Sequence, residues 1–291
     1  MPTHLFISSP AIPTPAGRQK KACAFCPLDE QPIFAGRNAN VLAAAFPYVH
    51  KHVLIVPKEH ATSLGALDKG AMAQTCFFID ALLSTDNKLA VLANERRLAG
   101  STQEHHSHLH VLEPPTPDFP TAHQVQLRQS LEDPIARELI IAAKLSPSGK
   151  YPFAAETEID LSNPPAVLDA IKTSFTELHA ALRANVESFA SRFSEAIASQ
   201  HIDARSKPFG DELGFNLCIT LENGKAMLYT APRILLLKLV KEDGKPHRYS
   251  GNELFFNFTS ERVGLDETTT RLWQLQKGTF HNWVKTTIVA G

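Results

Sequence analysis

The chain has 291 residues, 43% hydrophobic and 20% charged, with 29 Lys+Arg against 30 Asp+Glu and a net charge of −1. That length suits one large or two modest domains. The balance excludes a broad electrostatic nucleic-acid binder, which would carry a basic excess. No apolar run reaches the ~18–20 residues needed to cross a bilayer. The first residues show no basic segment leading into an apolar one, so a cytoplasmic protein without a secretory signal is expected. Four cysteines are too few for a disulfide scaffold.

Residues 1–20 are rich in Pro, Ser and Thr and are expected to form an extended arm. Cys23-Ala-Phe-Cys26 follows, a CxxC that points to metal or redox chemistry. The apolar stretches Asn40–Phe46, His52–Val56 and Lys88–Ala93 predict strands, with Pro47 and Pro57 as punctuation. Between the last two, Leu64, Leu67, Met72, Phe77, Phe78, Leu82 and Leu83 recur at helical spacing, predicting a helix within 62–86.

Histidine is unevenly distributed. Seven of thirteen lie between His50 and His110, and four fall in the run His105-His106-Ser107-His108-Leu109-His110. On a strand, residues i, i+2 and i+4 share a face, so His106, His108 and His110 would project together. Three imidazoles on one face allow two chemistries. One is a metal site, because neutral imidazole is a common ligand. The other is nucleophilic attack on phosphorus, since a free imidazole is mostly neutral at pH 7. CxxC is likewise the spacing of half a zinc site, and two further ligands are needed to complete a tetrahedron.

The proline-rich segment after Glu113 predicts a linker. Beyond it come strand-like stretches at 138–144 and 151–157, a helix from about 166 to 199, and a hairpin of Phe215–Thr220 and Met227–Thr230 around Asn223-Gly224. Both halves thus read strand, strand, helix, strand, strand, as an internal duplication would. Four segments result: an arm (1–20), a histidine-bearing unit (21–114), a linker (115–127) and a second unit with a C-terminal extension (128–291). No motif is visible in the last forty residues.

CAFC, HVLIVPKEH and AGSTQEHHSHLHVLEP, in that order and spacing, resemble the histidine-triad superfamily. The resemblance implies an α+β fold, an antiparallel sheet with packed helices, duplicated in one chain. It also implies that His108 is the nucleophile that takes up a nucleoside monophosphate. His110 and the turn Gly100, Ser101, Thr102 and Gln103 would contact phosphate, and Asn40 and Phe46 the nucleoside. The interval from Asn94 to the triad is one residue longer than is usual in the family, which makes His105 a possible intruder into the site. Metal-bearing members imply that Cys23, Cys26, His60 and His106 hold a structural zinc ion. The two-unit organisation looks like the branch of galactose-1-phosphate uridylyltransferase and diadenosine tetraphosphate phosphorylase.

The expected activity is therefore nucleotidyl transfer from a nucleoside phosphate, either a dinucleoside polyphosphate or a nucleotide sugar. Hydrolysis with water as acceptor is the alternative, since hydrolases of the superfamily carry histidine at the third triad position. A metal-dependent hydrolase and a non-catalytic nucleotide-binding protein are further readings. Expected partners are a nucleotide, with no nucleic acid and no membrane, in a monomer or homodimer. Aligning Pro232 with Pro114 puts Gly224, Ala226 and Leu228 opposite the three histidines, which would leave the second unit without a nucleophile.

Overall fold

A computed structural model describes residues 23–26, 28, 31–45, 47, 49–95, 106–114, 154–178, 180, 215–232, 239–240, 246–247 and 267–290. Strands β1 (Phe34–Ala35), β2 (Ala39–Ala43) and β3 (His52–Pro57) come first. A short 3-10 turn at Leu64–Ala66 then leads into α1 (Lys69–Thr85). Next are β4 (Ala90–Glu95), β5 (Leu109–Leu112) and β6 (Ala155–Ile159). A helix over 164–178, α2, is followed by β7 (Phe215–Glu222) and β8 (Lys225–Pro232). The two-residue strands β9 (Leu239–Val240) and β10 (Pro246–His247) pair with each other, and α3 (Glu267–Ala290) ends the described chain.

Eight strands form one antiparallel sheet in the order β1-β2-β3-β5-β4-β7-β8-β6. This is the expected α+β architecture. The seam lies between β4 and β7, where Leu92 pairs with Cys218 and Asn94 with Asn216. Either side of it the order is mirrored, β3-β5-β4 against β7-β8-β6, with α1 joining β3 to β4 and α2 lying between β6 and β7 in sequence. The strand expected at 138–144 lies outside the described residues, as does the later part of the helix expected to reach 199.

Strand alternation explains which residues enter the core. Val53, Ile55, Val91, Ala93, Leu109, Val111, Leu217, Ile219, Ala226 and Leu228 form one buried apolar cluster with the helices. α1 meets them with Met72, Cys76, Ile79 and Leu83, a stripe at spacings of three and four. Asp68 starts α1 by accepting the Ala71 N–H at 2.7 Å, which satisfies a donor that the first turn leaves open. Gln74 Oε1, farther along α1, accepts the Asn38 and Ala39 N–H groups and fixes the start of β2. The β7–β8 hairpin turns at Asn223 and Gly224, with φ of 52° and 79°. Two positive φ angles are what a tight two-residue hairpin requires.

Two corrections follow. Ala226 and Leu228 belong to the helix-packed core, so they do not lie opposite the histidines. The partner of Ile219 is Leu228 and that of Cys218 is Tyr229, so the residues sharing the histidine face are Met227, Tyr229 and Ala231. An alignment displaced by one residue exchanges the two faces of a strand. The second correction is α3, a 24-residue helix where no motif was expected. Phe280, Val284 and Ile288, four apart, join the core cluster, and α3 packs beside α1. Among the described residues, no helix is long and apolar enough to cross a membrane.

Candidate metal centre and histidine site

The histidine run enters the sheet more abruptly than strict alternation suggests, because regular pairing begins only at Leu109. β5 lies between β3 and β4, with His110 facing Leu54 on one side and Leu92 on the other. Just before it, the Ser107 N–H donates to the Ala61 carbonyl at 2.7 Å. The Ser107 hydroxyl donates to Glu95 Oε1 at 2.6 Å, and Glu95 Oε2 accepts the Leu64 N–H at 3.0 Å. Glu95 is 2% exposed. One buried carboxylate therefore ties together the end of β4, the start of the 3-10 turn and the residue between His106 and His108. Sequence reasoning missed it, because a glutamate in that place reads as a solvated turn residue. Its one signal is position, directly after Asn94 at the end of β4.

His106 turns toward the cysteines. Its Nδ1 is 3.4 Å from Cys23 Sγ and 3.3 Å from Cys26 Sγ, and His60 Nδ1 is 3.4 Å from Cys26 Sγ. The four donor atoms all lie within 4.8 Å of one another. Bonds of about 2.3 Å to sulfur and 2.0 Å to nitrogen give a tetrahedron with S···N edges of about 3.5 Å. The quartet matches that size and a Cys2His2 donor set, so it can hold a metal ion. The His106 Nε2–H donates to the Pro57 carbonyl at 2.7 Å. That bond fixes the tautomer and leaves the Nδ1 lone pair for the ion, as outer partners of metal-bound histidines do. With both nitrogens committed, His106 does not join His108 and His110 in a three-imidazole metal site.

His108, 8% exposed, donates Nδ1–H to the His106 carbonyl at 3.0 Å. Its Nε2 then carries the lone pair. The Phe25 ring lies 5.0 Å from the His108 ring and 5.4 Å from that of His106. The His110 ring is 5.1 Å from His108, and its Nδ1 is 3.0 Å from His52 Nε2. Burial holds the pKa of His108 below that of a free histidine, although the bond to the His106 carbonyl works the other way. Burial first, then His108 and His52, holds His110 well below the ordinary value. His52 is pushed down to about 3 by burial, with Lys277 and His108 adding to the effect. At neutral pH these imidazoles are uncharged.

An open pocket of about 360 Å³ lies by the CxxC loop, reaching toward His108 through Phe25 but lined by none of these histidines. It is lined by Phe25, Cys26 and Leu28 from the CxxC loop and by Asn40, Val56, Pro57 and Lys58 from β2, β3 and the residue after it. Its volume falls in the range of small-molecule sites. Asn40 and Val56 are paired residues of β2 and β3, which places this cavity along the face that carries the histidines. On the same face, Asn216 Nδ2 donates to Asn94 Oδ1 at 2.8 Å across the seam. Of the other expected contacts, Phe46, Gly100, Ser101, Thr102 and Gln103 lie outside the described residues, as does His105.

Cys76 is buried in the sheet–helix interior, where burial pushes its thiol up to about 12, and Cys218 is buried on the other face of the sheet, in the row that carries His110.

No family model matches this chain, and no curated protein matches it. Solved structures with a related course of the chain include an ADP-glucose phosphorylase from Arabidopsis thaliana with bound ADP-glucose. It is 11% identical, over 67% of this chain and 72% of that one, at a TM-score of 0.37. The yeast Ap4A phosphorylase is 16% identical over 67% of this chain and 58% of its own length, at 0.34. A uridylyltransferase is 11% identical over 98% and 95%, at 0.39. At such identities and scores the chemistry of this chain has to be read from its own site.

Proposed function

We propose that this protein transfers a nucleotidyl group from a nucleoside phosphate through a covalent nucleotidyl intermediate on His108. The observation that carries this reading is the His108 Nδ1–H donated to the His106 carbonyl, which leaves a neutral, oriented Nε2 on a buried ring.

Attack by Nε2 on the α-phosphorus forms a P–N bond and breaks the bond to the leaving group, which departs with its electron pair. An acceptor oxygen then attacks the same phosphorus, breaks the P–N bond and returns the lone pair to Nε2. Fixing the tautomer and the ring before substrate arrives lowers the entropic part of the barrier. When His52 Nε2–H donates to His110 Nδ1, His110 presents its own Nε2–H as a donor for a phosphoryl oxygen, with no charge to neutralise. Gly100, Ser101, Thr102 and Gln103 supply further phosphate contacts in this reading, and Asn40 and Phe46 hold the nucleoside. Cys23, Cys26, His60 and His106 hold zinc, whose role is to brace the N-terminal loop against β3 and the catalytic segment. The mirrored strand order supports a duplicated unit whose second copy has lost the nucleophile. Water as acceptor is the second reading, favoured by histidine rather than glutamine at position 110.

The test uses α-phosphorus-labelled dinucleoside polyphosphates and nucleotide sugars. Label retained on the denatured protein, released by acid and absent from His108→Ala, is the expected result. Turnover with no retained label in rapid-quench samples contradicts the reading. Phosphate or a sugar phosphate raising the rate of label release separates transfer from hydrolysis.

A further inference from the structure

The CxxC loop has a second face. Its cysteines point to His60 and His106, while the residue between them, Phe25, sets its ring 5.0 Å from His108. Phe25, Cys26 and Leu28 contribute to the lining of the pocket together with Asn40, Val56, Pro57 and Lys58. No sheet strand includes this loop. Its described backbone bond is a long one, Cys26 N–H to the Cys23 carbonyl at 3.4 Å. Among the described residues, the side-chain contacts of this loop include the four clustered donors and the Phe25 ring against His106 and His108.

We infer that metal occupancy and nucleotide binding are coupled through Phe25: the bound ion sets the wall on which the nucleotide rests, so each raises the affinity for the other. The inference deepens the nucleotidyl-transfer reading and depends on it for the identity of the ligand. Its physical basis is linkage. Without a cation the four donors are joined only by weak S···N contacts of 3.3–3.4 Å, which hold the loop less firmly than metal–ligand bonds do. A ligand that touches Phe25 then has to order the loop itself, which costs binding free energy. Once the ion has ordered it, that cost is gone. The gain in affinity must be the same in both directions. The ion contacts no substrate in this scheme. Phe25 is a positioning residue that faces both sites.

The experiment follows zinc rather than turnover. Zinc-loaded protein is titrated with a colorimetric chelator, alone and with saturating AMP, GMP, CMP or UMP. These carry no leaving group at phosphorus, so no reaction intervenes. The expected result is zinc held at least about fivefold more tightly with the nucleotide that binds. Phe25→Ala should keep its zinc, yet show almost no coupling at nucleotide saturation. Phe25→Leu, which restores an apolar wall and serves as the comparison if the alanine variant fails to fold, should recover part of it. Equal zinc affinity with and without bound nucleotide overturns the coupling and leaves the nucleotidyl-transfer reading standing. Full coupling in both Phe25 variants overturns the role of Phe25. If calorimetry detects binding of none of the four nucleotides, the parent reading falls and the coupling with it.

Discussion

The two halves of the sheet offer the same face in different chemistry. On β5 the row that runs through Leu54 and Leu92 carries His110, with His108 two residues before it. On β7 and β8 that row continues through Cys218 and Tyr229 to Glu156 on β6. Around Tyr229 the groups are hydroxyls and a carboxylate: Tyr229 donates to Glu222 Oε1 at 2.7 Å and Thr220 donates to the same oxygen at 2.6 Å. Burial and Glu222 push the Tyr229 pKa up, so its proton stays on. Burial drives the histidines the other way and takes their protons off. Desolvation disfavours the charged form in both places. It leaves a lone pair available on an imidazole and holds a phenol inert. One sheet thus has a half that presents uncharged imidazoles and a half braced around a carboxylate, and the difference lies in the acid–base type of the side chains.

The sharpest break of this comparison is at His108. His108→Ala should lower kcat by ~10³-fold or more, as removal of a nucleophile does. Tyr229→Phe should leave turnover within a few-fold, measured side by side. Next comes the core that both halves share. Phe280 is 4% exposed in the core cluster, so Phe280→Ala should cost about 3–5 kcal/mol in urea denaturation.

Acid should separate the halves further. His52 has a folded pKa of about 3 against 6.5 for a free histidine, and His110 is also held well below 6.5. Below pH 6.5 the unfolded chain binds protons that the folded chain refuses, so stability is complete above 6.5 and falls as pH drops. The loss approaches ~1.4 kcal/mol per pH unit for each such histidine, and for His52 it continues toward pH 3. Urea midpoints at pH 7.5 and 5.5 should show it, with a smaller drop in His52→Gln. The mildest effect is expected in the braced half, where Tyr229→Phe removes one hydrogen bond and should cost about 1–2 kcal/mol in the same assay.

What the sequence revealed, and what it hid, divides along physical lines. Cys23 and Cys26 were legible as half a metal site from the CxxC spacing alone, whereas His60 and His106 were implied only by the resemblance to metal-bearing members of the histidine-triad superfamily. The strands around His52–Val56 and Lys88–Ala93 were legible because buried strands are short, apolar and β-branched. Glu95 was hidden, since the use of a buried carboxylate depends on N–H and O–H donors brought in by Leu64 and Ser107, which are distant in sequence. The face of β8 was misassigned, because aligning Pro232 with Pro114 fixed the wrong parity and parity decides which side a strand residue faces. α3 was hidden by its composition. ETTTRLWQLQKGTF is rich in Thr and contains Gly278, all weak helix formers, and among the described residues the helix meets the core near its far end, through Phe280, Trp283, Val284 and Ile288.

The central claim is a bond between His108 and phosphorus. Mass spectrometry of protein mixed with a nucleotide substrate and quenched in base, where a phosphoramidate survives, tests it directly. The account predicts one added nucleoside monophosphate, mapped to the peptide that carries His108. A protein that turns the substrate over with that peptide unmodified at every quench time contradicts it.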